Sequence, residues 1–342
     1  MEGIIRACPC FGLRMWKNFR AEIQFSFKFR FMAMHFSTIC KTSLFPLLLA
    51  AGWAVSGLAG SPGPCCAEAL ALERIGRIAF HGIDESSAIE KSRQYPDTYW
   101  TINDSGGGPR IFAIKASGET IKPEGLKTYR GIRVEGATNI DWEALALDDR
   151  GNLYVGDFGN NSSLRRNLAI YLLREPDPRL RTRVAVRRKI PFSYPEQRRF
   201  PEPGRNFDAE ALFWFGGHLY LLTKHWSDGQ TALYRFDTLL AGTDNKVSLL
   251  ATLNFGGMVT AADISEDGGL LAVLTYRHIW LVEVTEREGG LLLGRKYRLP
   301  VRAGQCEGVC FSGDSLLITN EQRDIFAVPL ATLRQHPFFG SL

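Results

Sequence analysis

The residues best suited to chemistry are acids that open short apolar runs. They are Asp141 and Glu143 in Asp141-Trp-Glu-Ala-Leu-Ala-Leu147, and Asp208 and Glu210 in Asp208-Ala-Glu-Ala-Leu-Phe213. Asp263 in Ala261-Ala-Asp-Ile-Ser265 and Glu307 in Gln305-Cys-Glu-Gly-Val-Cys-Phe311 repeat the pattern. Gathered carboxylates repel one another, and burial makes their ionisation costlier still. A cation or nearby basic groups relieve both effects, and hard oxygen donors suit Ca²⁺, or Mg²⁺ that keeps its waters. Asp141, Glu143, Asp208, Glu210, Asp263 and Glu307 are therefore the candidate metal ligands. A second reading stays open, in which these acids accept backbone N–H groups from a neighbouring strand. No His/Cys cluster with zinc-ligand spacing is present.

Each acidic run is followed by a turn and a second apolar run. Asn152-Leu-Tyr-Val-Gly156, His218-Leu-Tyr-Leu-Leu222, Leu270-Leu-Ala-Val-Leu274 and Ser315-Leu-Leu-Ile-Thr319 are these partners. The turns between them carry Asp-Arg-Gly, Phe-Gly-Gly, Glu-Asp-Gly and Ser-Gly-Asp, which is hairpin chemistry. A degenerate first copy pairs Glu85-Ser-Ser-Ala-Ile89 with Thr98-Tyr-Trp-Thr-Ile102. Two more strand-like runs follow each pair except the last, which has only Asp324-Ile-Phe-Ala-Val328. The run Leu70–Phe80 supplies the missing strand. The repeat therefore predicts an all-β, closed β-propeller of five four-stranded blades, its N-terminal strand pairing with the last blade. A sixth blade is the alternative if segment 174–207 holds one, and a β-sandwich of similar short strands is the rival architecture.

In a propeller the first strands line the central channel, so their leading ends meet at one rim. The ends of the second strands return to it, bringing Asn103-Asp104, Asp157, Lys224, Tyr276-Arg277 and Asn320-Glu321. Asn103, Asp104, Asp157, Asn160, Asn161, Lys224 and Asn320 are the candidate ligand-binding residues. Asn103-Asp-Ser-Gly-Gly-Gly-Pro109 and Asp157-Phe-Gly-Asn-Asn161 offer oxygens and close backbone approach. Glu143, Lys224 and Arg277 are the catalytic candidates, should the site be an enzyme's. His225 and His278 read as surface histidines, so a serine-hydrolase triad is unsupported.

Composition narrows the partners. The first 69 residues hold seven basic and three acidic residues of the chain's 41 and 36, leaving 34 and 33 beyond them. A nearly neutral body argues against nucleic acid as a partner. Five of the seven cysteines lie before residue 70, and Cys306 and Cys310 read as small buried hydrophobes. Four residues apart on a strand is about 13 Å, too far for a disulfide, which needs Cα atoms within about 7 Å. The basic run from Arg179 to Arg205 reads as a solvated edge strand protected by its charge. Residues 1–69 read as a targeting segment: a basic stretch, an apolar run over 41–60 broken by Pro46, and a small-x-small site at Ala67-Glu-Ala69. A single domain over 70–342, exported to the periplasm or beyond as a monomer with no stable membrane span after cleavage, is the expectation. Its partner is expected to be a small polar ligand or a protein.

Asn103-Asp-Ser-Gly106, Asp141-Trp-Glu143, Asp157-Phe-Gly-Asn-Asn161, Glu175-Pro176, Asp208-Ala-Glu210, Thr223-Lys224 and Ala262-Asp-Ile-Ser265 resemble, as a set, exported bacterial β-propeller proteins of mostly unassigned activity. These are distantly similar to phytase-like and esterase-like propellers. The resemblance spans about 80–330 and implies Ca²⁺ and phosphoester or ester hydrolysis. The sequence departs from true phytases in placing only Lys224 and Arg277 as cations on the rim. Binding or scaffolding at a cation-bearing rim is the first expectation, and a Ca²⁺-dependent hydrolase the second.

Overall fold

A computed structural model describes residues 69–285, 291–340 and 342. The targeting segment expected over 1–69 therefore lies almost wholly outside the described residues. The described chain is all-β with one short helix, α1 (Leu330–Leu333). Among the described residues, no helix is long and apolar enough to cross a membrane.

The strands come in antiparallel groups that follow the chain. β1 (Leu70–Ala71) and β2 (Arg74–Arg77) open it, then β3 (Glu90–Lys91), β4 (Tyr99–Ile102), β5 (Arg110–Ile114), β6 (Thr120–Ile121) and β7 (Ile132–Glu135). β8 (Trp142–Leu147), β9 (Asn152–Asp157), β10 (Ala169–Arg174) and β11 (Arg183–Ser193) form the next group, and β12 (Asp208–Phe215), β13 (His218–Lys224), β14 (Thr231–Phe236) and β15 (Asn245–Leu253) the one after. β16 (Val259–Ile264), β17 (Leu270–Thr275), β18 (His278–Glu283) and β19 (Lys296–Arg302) repeat the order. The last strands are β20 (Cys306–Ser312), β21 (Ser315–Asn320), β22 (Asp324–Pro329) and the short β23 (Pro337–Phe338), which pairs with β19.

The N-terminal run is divided where one strand was expected. β1 pairs parallel with β19, placing Leu70 beside Val301. β2 pairs antiparallel with β22, in the sheet β2-β22-β21-β20. Strand β11 is longer than its sequence run suggests because, besides β10, it serves two further neighbours. Its first residues pair parallel with β7 and its last with β15. Arg183, Arg187, Arg188 and Lys189 stay exposed along it, as expected of a charged edge.

First strands pack against first strands. β8 lies beside β12, β12 beside β16, β16 beside β20, β20 beside β3, and β3 beside β8. The core lies between the groups rather than along the line where these strands meet. One cluster joins Tyr154 and Ile170 to Leu221 and Tyr234; another joins Trp100 and Ile111 to Trp142 and Leu153. A third joins Tyr99 and Phe112 to Cys310, Leu317 and Ile325, the first group to the last. Cys306 and Cys310 are free and buried, as expected.

The first strands share a defect that matters more than their regular part. In β8, β12, β16 and β20 the register slips by one residue near the leading end. The extra residues are Glu143, Glu210, Thr260 and Glu307. A bulge leaves its extra residue outside the ladder and re-aims the side chain. Ser87 holds the equivalent place before β3, beside the isolated Ser86–Asn103 bridge. In every copy the next residue is small: Ala88, Ala144, Ala211, Ala261 and Gly308. The close approach of neighbouring first strands explains this. A Cβ on Gly308 would come within 2.8 Å of the Ile89 nitrogen.

Candidate functional site

The bulges at Glu143, Glu210 and Glu307 aim their side chains into a cavity of about 220 Å³ at the leading ends of the first strands. Glu85, Asp104, Glu143, Glu210, Glu307 and Glu321 bring carboxylates to it, and Lys224 is the one basic side chain in its wall among the described residues. Ser87, Asn161, Trp226 and Tyr276 complete much of the rest. Of the expected rim residues, Asp104, Glu143, Asn161, Glu210, Lys224, Tyr276, Glu307 and Glu321 thus come together here.

One side of the cavity is internally neutralised. Lys224 Nζ donates to Glu210 Oε1 at 2.9 Å, with both side chains buried. Tyr276 donates its hydroxyl to Glu307 Oε1 at 2.9 Å. Burial pulls the Lys224 ammonium down, but Glu210, Tyr276 and Glu307 outweigh it and carry its pKa above the ordinary lysine value. It stays charged. Burial lifts Glu307 to about 7, against the pull of Lys224 and the Tyr276 hydrogen bond. The Trp226 and Tyr276 rings stand 5.3 and 5.5 Å from Lys224 Nζ, flat walls beside the charge.

The other side is not neutralised. Oxygens of Asp104, Asp141 and Glu143 lie within 4.8 Å of one another. Glu143 is 6% exposed, and its carboxylate accepts one hydrogen bond among the described residues, from Ser87 Oγ at 3.0 Å. Burial, then Glu210, Asp104, Asp141 and Asp208, hold Glu143 well above the usual carboxylate range. Burial, then the hydrogen bond and charge of Asp104, raise Asp141 to about 7, with Arg165 opposing. Gly159 lies against this cluster, and a Cβ there would collide with the Glu143 and Asp141 carboxylates. Asn139 donates to the carbonyls of Asn103 and Asp104 and so fixes the loop carrying Asp104.

Several expected ligands instead hold the framework. Asp157 pairs with Arg165 at 2.8 Å and accepts the Asp141 N–H. Asp208 accepts the Asn160 N–H and the Trp226 indole N–H. Asn160 accepts from the Arg165 N–H, and Asn320 donates to the Ala303 carbonyl. Asn103 donates to Gly82 O and Asp84. These residues serve the second reading, acids and amides that tie strands and loops together, and none of them lines the cavity. Arg277 is exposed and lies outside the cavity wall. Asp263 is displaced entirely. It sits four residues past Val259, where it accepts the Ile264 and Phe311 N–H groups at the trailing end of β16. Its expected place is held by Thr260, whose hydroxyl donates to the Cys306 carbonyl at 2.7 Å. Alignment on acids sets Asp263 against Glu143 and Glu210. The small residue following each bulge was the signal that would have chosen Thr260. Ser87 and Asn139 carry no role in the sequence pattern, and Tyr276, expected on the rim, is absent from the candidate ligand and catalytic residues.

No protein family matches the chain, and no curated protein matches it. Among solved structures it is similar to a provisionally assigned gluconolactonase, at 14% identity over 77% of this chain and 78% of that one, with a TM-score of 0.41. It is also similar to a provisionally assigned glucose dehydrogenase of Thermus thermophilus, at 14% identity over 75% and 99% of the two chains, with a TM-score of 0.43. A nidogen/laminin complex gives 14% identity over 71% and 76%, with a TM-score of 0.37. At these values the likeness extends to neither activity nor ligand.

Proposed function

We propose that this chain is a five-bladed propeller, closed by its N-terminal strands, whose central cavity binds a divalent cation together with a small polar ligand. The cyclic packing of β3, β8, β12, β16 and β20 supports the blade count. The pairing of β2 with β22 supports the closure. Exported, as its N-terminal segment suggests, such a protein would meet Ca²⁺ in the concentration range where extracellular sites of about 10⁻⁴–10⁻³ M affinity operate.

The observation that carries the cation is Glu143. A buried carboxylate beside two others, with a single hydroxyl as partner, must keep a proton or take a cation. The donor set is all oxygen, which fits Ca²⁺ by chemistry. Asp104, Asp141 and Glu143 would hold the ion. Lys224, Trp226, Tyr276 and Asn161 would face a ligand beside it, the rings against carbon and the ammonium against oxygen. Six carboxylates in the wall disfavour an anionic phosphoester, so an uncharged polar ligand is the better match.

Calorimetric titration of the metal-free chain with CaCl₂ tests this. One site with heat is expected, lost in Glu143→Gln and weakened in Asp141→Asn, both variants keeping their fold by circular dichroism. Absence of calcium binding in the wild-type protein, or unchanged binding in Glu143→Gln, would refute it.

Lys224 favours a second reading, hydrolysis of a neutral ester. A bound cation would supply an activated water. The buried ammonium would stabilise negative charge developing on the substrate oxygen. Turnover of ester substrates that vanishes with chelator and in Lys224→Met, under conditions where circular dichroism shows the variant folded, would establish it, and a silent ester panel would leave binding alone.

A further inference from the structure

The trailing ends of the same first strands frame a larger cavity, of about 640 Å³, that the proposed function does not use. At its wall stands Glu90 of β3, 7% exposed. No hydrogen bond or ion pair reaches its carboxylate among the described residues. Its neighbour across the cavity wall is Asp263, whose oxygens are occupied by the Ile264 and Phe311 N–H groups. Burial and the charge of Asp263 both work against ionisation of Glu90, and the exposed Arg93 opposes them from a distance. A buried carboxylate without a partner, facing open space, is an invitation to a cation.

The cavity chemistry selects the kind of cation. The only three-carboxylate group tight enough for a metal ion, among the described residues, is in the other cavity. Here six carboxylates, of Glu90, Asp97, Asp263, Glu266, Asp267 and Asp314, outnumber Lys91, Arg93 and Arg334 in a wall that also holds Phe311, Leu270 and Leu330. Separated negative charges joined by apolar surface match separated positive charges joined by methylenes. A primary ammonium brings three N–H donors to the Glu90 carboxylate, and an alkyl chain covers the leucines.

We propose that this cavity is a second binding site, for an aliphatic diamine or polyamine, with one ammonium on Glu90 and Asp263 and the chain running toward Asp267 and Asp314. Lys91, Arg93 and Arg334 share the wall, intramolecular cations that the ligand must outbid for the same acids.

Isothermal titration of the full chain with putrescine tests the assignment. Saturable one-to-one binding is expected. Glu90→Gln, isosteric and with its fold checked by melting, should weaken it at least about tenfold, the loss that a charge-assisted hydrogen bond implies. Arg93→Gln, an exposed substitution, should tighten it. Prior saturation with CaCl₂ should leave the putrescine affinity unchanged, because the calcium donors lie at the other ends of the strands. No binding by the wild-type protein, equal affinity in Glu90→Gln, weaker binding in Arg93→Gln, or displacement by Ca²⁺ would each overturn the proposal.

Discussion

Glu143 and Glu210 occupy the same bulge in neighbouring strands and are both buried, yet their surroundings differ in kind. Glu210 meets an ammonium at 2.9 Å. Glu143 meets a serine hydroxyl and two more carboxylates. A buried pair satisfies itself, and its worth is seen mainly when one member is removed. A buried cluster of one sign is incomplete and depends on what it binds. The cavity thus has a finished half and an unfinished half, built from one repeated backbone device.

Four measurements break or sharpen that contrast. The largest effect belongs to the finished half. Lys224→Met leaves Glu210 and Glu307 buried without their cation, and should cost about 3–5 kcal/mol in urea unfolding. A loss below about 1 kcal/mol would mean that the pair is not internally balanced. The unfinished half should respond with the opposite sign. Glu143→Gln in the presence of chelator should stabilise the protein by about 1–2 kcal/mol, because glutamine is neutral without the proton that a buried, metal-free Glu143 must take up on folding. Destabilisation there would show that Glu143 is already satisfied.

The third measurement is pH. The Asp141 carboxyl rises from 3.8 to about 7 and that of Glu307 from 4.5 to about 7 on folding. A raised carboxyl binds its proton more tightly in the folded state. Its stabilisation is complete below the unfolded value and is lost as pH climbs to about 7. Metal-free protein should therefore melt higher at pH 5 than at pH 8. Calcium should narrow the gap, and Asp141→Asn should flatten the profile. A melting temperature that rises over this interval would contradict it. The smallest effect is Tyr276→Phe, which removes one hydrogen bond to Glu307 and should cost about 1 kcal/mol in the same urea assay. It should leave calcium affinity alone, since Tyr276 belongs to the finished half.

Much of the architecture was legible because strands carry a period of two and turns have a restricted chemistry. The acids of β8, β12 and β20 were found for the same reason. What escaped was everything that depends on the bulge. A slip of one residue breaks the alternation from which the strands were read, so aligning acids moved the fourth group by three positions and promoted Asp263 over Thr260. Asp157, Asp208 and Asn160 share the residue types of a binding site. Only the identity of their partners, Arg165, Trp226 and backbone N–H groups far along the chain, reveals their structural work. Composition is silent on such partners, as it is on the orphan carboxylate of Glu90.

The pairing of β2 with β22 has a consequence for the order of folding. Arg74 bonds Asp324 across 250 residues. Closing a loop of that length costs entropy before its contacts repay it, and such long-range pairing is intrinsically slow. Strand β2, early in the described chain, must therefore wait for its partner until nearly the last strand exists. Through that interval the exposed edges of the opening and closing strands are the segments most open to pairing with another chain.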